Sequence, residues 1–200
     1  NALDSRIKII NDKVFLKELY DAEQIFSEKI LNLSQNKIQL YTEDEVEKVL
    51  DNLCKKEQII LEKEQRNAVI LSCMYDSGVF VLSGSAGTGK TFITKIIVKT
   101  KKRLRKLYSK DTELEFLGVA PTGKATKVME KNFAELNISC KTIHRALNYH
   151  ESRFEKNETN LLDETYFIVD ESSMLDILLA KSFLTAVKQK STILFLGDVN

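Results

Sequence analysis

The sequence predicts an α/β protein: a parallel sheet flanked by helices, preceded by a small all-helical segment. Three observations carry this expectation. Apolar runs of strand length at 79–82, 116–120, 166–169 and 192–196 are separated by longer stretches with apolar residues at helical spacing. Those runs show no polar alternation, which marks strands covered on both faces, as in a parallel sheet. Residues 3 to about 57, by contrast, are rich in Lys and Glu, with a 3.6-residue apolar period.

In the N-terminal segment, Val14, Leu16, Leu19 and Tyr20 lead into Ala22, Ile25, Ile30 and Leu31. Thr42, with Glu45 three residues on, reads as a capping box ahead of Val46, Val49 and Leu50. Its charges read as a solvated face. The division expected is 1–57 for this helical segment and 58–200 for the α/β domain. Asn1 and Ala2 read as the remnant of a cleaved tag, and the end of the sequence after Asp198 reads as a cut within a longer protein.

Residues 61–72 form the next predicted helix, with Gln65 lying 19 positions before Gly84. A strand at 79–82 then delivers Gly84-Ser85-Ala86-Gly87-Thr88-Gly89-Lys90-Thr91, after which Phe92, Ile93, Ile96, Ile97, Leu104 and Leu107 recur at helical spacing. Strand, glycine-rich loop and helix are the setting of a phosphate-binding loop. The glycines let backbone N–H groups turn inward around a phosphate chain, Lys90 sets an ammonium against the β- and γ-phosphates, and the Thr91 hydroxyl suits Mg2+. The helix N-terminus adds its positive dipole end. The ligand implied is ATP with Mg2+, held by residues 84–91.

The helix beyond the loop carries Lys99, Lys101, Lys102, Arg103, Arg105 and Lys106. A solvated face near a helix C-terminus is the preferred reading over a DNA site. The strand 116–120 ends in Pro121-Thr122-Gly123-Lys124 and is followed by a helix through Met129 to Leu136. Residues 142–147 read as a short helical turn and 148–163 as a polar loop. The strand 166–169 ends in Asp170-Glu171, where an aspartate can organise Mg2+ through water and a glutamate can act as general base on an attacking water. A helix at 175–188 precedes the strand 192–196, which ends in Gly197-Asp198. That pair by itself reads as a turn or as a sensor of the γ-phosphate. Ligands of such sheets gather at the carboxyl ends of the strands, where all these residues fall.

Bulk properties narrow the classes further. Hydrophobic content of 43% with 30% charged residues fits a globular chain, and one proline with seven glycines favours helices over tight turns. A net charge of +1 gives no global electrostatic footprint for nucleic acid, so any such site is a local patch. Cys54, Cys73 and Cys140 lack metal-ligand spacing and read as reduced thiols of a cytoplasmic protein. No apolar run reaches the length of a membrane span, and no signal peptide is visible.

Taken together, five motifs in order resemble the superfamily 1 DNA helicases of the RecD-like branch (the exonuclease V alpha subunit and its stand-alone relatives). They are residues 84–91, Ala120-Pro121-Thr122-Gly123-Lys124-Ala125, Thr142-Ile143-His144-Arg145-Ala146-Leu147, Asp170-Glu171-Ser172-Ser173-Met174-Leu175-Asp176 and Leu196-Gly197-Asp198. The stretch around Gln65 resembles the adenine-reading Q motif, and Tyr20-Asp21-Ala22-Glu23 resembles the helical segment ahead of that motor. The resemblance implies a RecA-like P-loop NTPase domain, the first motor domain of an ATP-dependent helicase moving 5′-to-3′ on single-stranded DNA. It implies that Lys90, Glu171 and Asp198 are catalytic and that Thr91 and Asp170 hold the metal. It implies that Gln65 binds adenine, and that Pro121, Thr122, Gly123, Lys124, Thr142 and His144 lie on the DNA track. The implied partners are single-stranded DNA and a second RecA-like domain of the same protein, with nuclease-complex subunits in one branch and none in the stand-alone branch. The motifs and arginine of that second domain, and the upstream helix-hairpin-helix region of long members, are not found in this sequence. The rival readings are a relaxase-helicase, a phage Dda-type helicase, and a nucleotide-binding subunit without turnover.

Overall fold

The computed structural model describes residues 6–85, 87–108 and 114–198. Two short strands, β1 (Ile7–Ile10) and β2 (Lys13–Leu16), open the described chain as an antiparallel hairpin. Asn11 and Asp12 between them have φ of 49° and 60°, a two-residue turn that these side chains tolerate. The expectation of an all-helical N-terminal segment is corrected here. The β-branched run Ile7-Lys8-Ile9-Ile10 and the Asn-Asp turn are strand signals that a helical period in so short a window does not exclude.

The helices α1 (Lys17–Gln35) and α2 (Glu43–Glu57) follow. The capping box at Thr42 forms as the sequence predicts: the Glu45 N–H donates to Thr42 Oγ1 (3.3 Å) and the Thr42 N–H to Glu45 Oε2 (2.8 Å). Next come α3 (Lys63–Met74), β3 (Gly78–Ser83), α4 (Lys90–Tyr108), β4 (Phe116–Ala120) and α5 (Gly123–Phe133), the last extended by a 3-10 turn, Ala134–Leu136. β5 (Ser139–Thr142) runs into the single turn α6 (Ile143–Ala146). A tight hairpin, β6 (Tyr149–His150) and β7 (Arg153–Phe154), lies within the stretch expected to be loop. β8 (Tyr166–Val169), α7 (Ile177–Ala186) and β9 (Thr192–Gly197) complete the domain.

Five strands form one sheet in the order β3-β9-β8-β4-β5, every neighbouring pair parallel. Its two faces follow the two-residue period of a strand. Phe116 and Ala120, Tyr166 and Ile168, and Leu194 and Leu196 share one core with α2, α3, α4 and α5. Leu117 and Val119, Phe167 and Val169, and Ile193 share the other with α1, α6 and α7. This is the predicted parallel sheet flanked by helices. The N-terminal helices contribute to both layers: Leu33 of α1 is buried on one face, and Val46, Val49, Leu50 and Leu53 of α2 on the other. Leu50 and Leu53 are at 0% exposure, and burial of each contributes about 1.5–3 kcal/mol.

The cations of α4 are only in part a solvated face: Lys102 and Lys106 are exposed, but most of the group is engaged within the fold, which corrects the sequence reading for Lys99, Lys101, Arg103 and Arg105. Lys101 is 1% exposed; its ammonium donates to the Tyr75 carbonyl (2.5 Å) and lies 5.3 Å from the centre of the Tyr166 ring. Lys99 pairs with Glu57 (2.7 Å) and Glu135 (3.7 Å), Arg103 pairs with Glu57 (3.7 Å), and Arg105 with Asp76. Lys102 donates to the Leu136 carbonyl (2.6 Å). These groups pin α4 to α2, to the 3-10 turn and to the loop before β3. Among the described residues, no helix is long and apolar enough to cross a membrane.

Candidate functional site at the carboxyl edge of the sheet

β9 lies between β3 and β8, with Ser83 opposite Gly197 and Val169 opposite Phe195. This register brings the ends of three strands level. The loop after β3, Asp170 after β8 and Asp198 after β9 therefore meet at one edge, although they are far apart in sequence.

The loop from Gly84 to Gly89 turns tightly into α4. Thr88 closes it: its N–H and its hydroxyl both donate to the Ser85 carbonyl, at 3.2 and 2.8 Å. A Cβ at Gly84 would stand 2.6 Å from Thr88 Oγ1, so this close approach requires glycine. Gly89 has φ of +85° and, through its carbonyl, accepts the Ile93 N–H (2.9 Å), the first bond of α4. The N–H groups of that first turn have no intrahelical partner and face an incoming anion. Ala86, one of the expected phosphate-loop residues, lies outside the described residues.

Lys90 Nζ donates to the carbonyls of Gly84 (2.7 Å) and Ser85 (3.1 Å) and pairs with Asp198 Oδ1 (2.5 Å). The ammonium is thus held over the mouth of the loop by three oxygens, a position that phosphate oxygens can share or take. Thr91, one residue into α4, is half-buried.

Asp170 continues the strand ladder, its N–H donating to the Val119 carbonyl (2.9 Å), and its Oδ1 accepts the Glu171 N–H (2.9 Å). Burial raises its carboxyl above the ordinary aspartate value; the Glu171 N–H and the Lys90 charge oppose that shift, and Asp198 adds to it. Glu171 is exposed, with φ of 53°, which turns the chain sharply out of the strand. Ser172, which sequence reasoning did not single out, ties this turn to β9: its hydroxyl donates to the Leu196 carbonyl (2.8 Å). Only the parallel register reveals that contact.

A metal here fits the donor set. Among the described residues, no three His, Cys, Asp or Glu side chains cluster as a protein-only metal cage. Mg2+ does not need one, because it takes one or two protein oxygens, phosphate oxygens and water. A carboxylate whose charge is disfavoured by burial gains from such a cation.

Gln65 sits in the first turn of α3, near Gly89: a Cβ on Gly89 would lie 3.8 Å from Gln65 Nε2. Its Oε1 accepts the Glu62 N–H (3.1 Å), so the capping box of α3 fixes the amide. Nε2 is the side left to meet a base.

The remaining expected residues lie farther along the edge. Ala120 is opposite Thr142 in the β4–β5 register, so Pro121, Thr122, Gly123 and Lys124 are neighbours of Thr142 and His144. Thr122 and Thr142 cap α5 and α6, their hydroxyl oxygens accepting the Ala125 and Arg145 N–H groups, each at 3.2 Å. Each O–H proton remains to donate. The His144 ring packs edge-on against Tyr149 and tilted on Phe154. Burial pushes the Cys73 thiol up to about 12 and the Cys140 thiol up to about 11.

The chain is similar to several known proteins. A family model described as an AAA domain matches residues 65–200. The RecBCD enzyme subunit RecD of Buchnera aphidicola from Schizaphis graminum is 34% identical over 94% of this chain and 32% of its own length. The same subunit from the Acyrthosiphon pisum strain is 29% identical, with the same coverage. The chain thus spans about a third of the length of these curated relatives. A solved structure of two coordinating Pif1 helicases unwinding forked double-stranded DNA is 21% identical, with a TM-score of 0.46 over 70% of this chain and 34% of that one.

Proposed function

The chain belongs to the AAA domain family, and from that premise we propose that it is the first motor domain of a RecD-type superfamily 1 helicase, binding ATP and acting on single-stranded DNA. The observation that carries this reading is the convergence of Lys90, Asp170 and Asp198 on one glycine-rich loop, with Gln65 beside it.

In this reading, residues 84–91 cradle the phosphates and Lys90 neutralises their charge, exchanging loop carbonyls and Asp198 for phosphate oxygens. Thr91 and Asp170 hold Mg2+, which supplies charge neutralisation on the phosphates when bound. Glu171 takes a proton from the attacking water, and its exposed, outward-turned position leaves room for that water. Asp198 reports the state of the γ-phosphate through its pair with Lys90. The edge from Pro121 to Lys124, with Thr142 and His144, offers capped helix ends and hydroxyl protons to a phosphate backbone.

Movement 5′-to-3′ is the direction that the family resemblance favours. A second RecA-like domain of the parent protein, supplying an arginine to the transferring phosphoryl group, is the expected partner; such arginines contribute about 1,000- to 100,000-fold in related phosphoryl transfers. Subunits of a nuclease complex are further expected partners, from the family resemblance. The chain by itself therefore binds nucleotide, hydrolyses it slowly and does not unwind duplexes.

The test uses the parent protein. Its ATPase should rise with single-stranded DNA, and Glu171→Gln should keep ATP binding while turnover falls about 100- to 10,000-fold. Turnover near the wild-type rate in that variant moves the base elsewhere. An ATPase indifferent to DNA favours a nucleotide-binding subunit over a motor.

A further inference from the structure

The short hairpin β6–β7 follows α6, which packs on β4 and β5, and with His144 it carries a cluster of three aromatic rings. Tyr149, Phe154 and His144 form a closed triad, with ring centres 4.9, 5.4 and 5.7 Å apart. Tyr149 is 46% exposed, while Phe154 is half-buried against the core on the α1–α7 face. Phe154 thus anchors the triad, and the Tyr149 and His144 rings are presented to solvent.

The mounting is rigid. Ile143 and Leu147, which precede the hairpin, are at 0% exposure. The Asn148 N–H donates to the Arg145 carbonyl (3.2 Å), and the Glu155 and Lys156 N–H groups return to the Asn148 and Leu147 carbonyls (3.3 and 3.1 Å). Glu151 and Ser152 make the turn with φ of 47° and 64°. A solvent-facing tyrosine on so short and well-tied a hairpin is not explained by packing of the fold.

The charges around it differ from those of α4. Lys124, Lys141, Arg145 and Arg153 are exposed, and among the described residues none of them forms an ion pair. Glu151 and Glu155 are the acids of the hairpin and its exit, and Glu155 accepts from Asn148 Nδ2 (3.4 Å). Arg145 follows His144 directly and Arg153 stands on β7 opposite His150, so unpaired cations flank the element that carries the exposed ring; stacking for a base and attraction for the phosphates are the two components of a single-strand site.

We propose that Tyr149 is a stacking platform for one base of a single-stranded nucleic acid, buttressed by His144 and Phe154, with Arg145 and Arg153 drawing the adjacent phosphates. This rests on the reading of the β4–β5 edge as a strand track and gives it a specific contact. His144 is then a positioning residue that holds the tyrosine ring rather than a direct ligand of the strand.

The chain contains no tryptophan, so Tyr149→Trp would place a single indole at the platform. Its emission should be quenched saturably by a labelled oligothymidylate at low salt, and not by a blunt duplex of the same length. In fluorescence anisotropy, Tyr149→Ala should weaken oligothymidylate binding about 5- to 150-fold, with Tyr149→Phe close to wild type. The salt slope of Tyr149→Ala should match wild type, because no charge is lost. The double variant Arg145→Ala, Arg153→Ala should have a slope shallower by about 1.4, two phosphate contacts on a single strand. Circular dichroism melting checks that each variant folds. Wild-type binding with unchanged affinity in Tyr149→Ala and no quenching at the indole would overturn the platform and leave the strand-track reading standing. No oligonucleotide binding by the wild-type chain would overturn both. Equal quenching by duplex would replace a stacking site with a non-specific electrostatic one.

Discussion

Replacing Lys101 with methionine separates an internal role for the cations of α4 from a nucleic-acid role. The side chain is 1% exposed, and its ammonium donates to the Tyr75 carbonyl at 2.5 Å and faces the Tyr166 ring at 5.3 Å. A charge-assisted hydrogen bond contributes about 1.5–3 kcal/mol and a desolvated cation–π contact about 2 kcal/mol. Burial of the ammonium costs several kcal/mol in the opposite direction. Gain and cost are of the same size, so at neutral pH the variant should lie within about 2 kcal/mol of wild type, or about 4–8 °C in melting temperature.

The pH dependence carries the sharper signal. Burial is the main cause that lowers the Lys101 pKa from 10.5; Cys73 and Asp76 oppose it, and Arg105 adds to it. Between the lowered folded value and 10.5 the unfolded chain binds a proton that the native chain does not. Wild-type stability therefore gains with rising pH through that window, and the gain is complete above it. Lys101→Met lacks this contribution. Urea unfolding from neutral pH to about pH 10 should show the variant losing ground to wild type as pH rises. Parallel profiles would refute the burial of a charged lysine, and loss of oligonucleotide binding in the variant would return α4 to the DNA surface.

Two further predictions concern the nucleotide edge. Burial raises the Asp170 pKa, so its ionised form is a cost to the folded state at neutral pH, a cost relieved only as pH falls through the raised value. Asp170→Asn keeps an oxygen for the Glu171 N–H, and should melt at or above wild type without nucleotide while losing the Mg2+-dependent gain in ATP affinity. A clear drop in melting temperature with that gain intact would be the contrary result in differential scanning fluorimetry. Gln65→Ala should narrow the preference for ATP over pyrimidine nucleotides, and 7-deaza-ATP should mimic that loss on wild type, because Nε2 is the free side of the amide. Unchanged competition profiles would move the base away from α3.

Much of the edge was legible in sequence because its chemistry is local. The loop from Gly84 to Thr91, the capping box at Thr42 and the acidic strand end at Asp170 each sit in a contiguous window with its own physical signature. What sequence did not disclose depends on register or on short, polar elements. β5 is an edge strand with one buried side chain, Cys140, between exposed Ser139 and Lys141, so it shows no apolar run. The hairpins at 7–16 and 149–154 rest on turns of Asn-Asp and Glu-Ser, and the second has strands of two residues. The helix α4 misled in part, for another reason. Its cations have sequence-distant partners, Glu57, Asp76 and Glu135, that appear only once α2 and the 3-10 turn are packed beside it. The same blindness hid Ser172, whose partner is the Leu196 carbonyl of β9.

The central claim is that Mg2+-ATP binds over the loop held by Lys90, and titration calorimetry of the chain with Mg2+-ATP tests it directly. Wild type should bind one nucleotide. Lys90→Ala removes the ammonium that now donates to Gly84, Ser85 and Asp198. It should weaken binding about 10- to 150-fold, the equivalent of one charge-assisted hydrogen bond to phosphate. Equal affinity in the two proteins, or no nucleotide bound by wild type, would contradict the account.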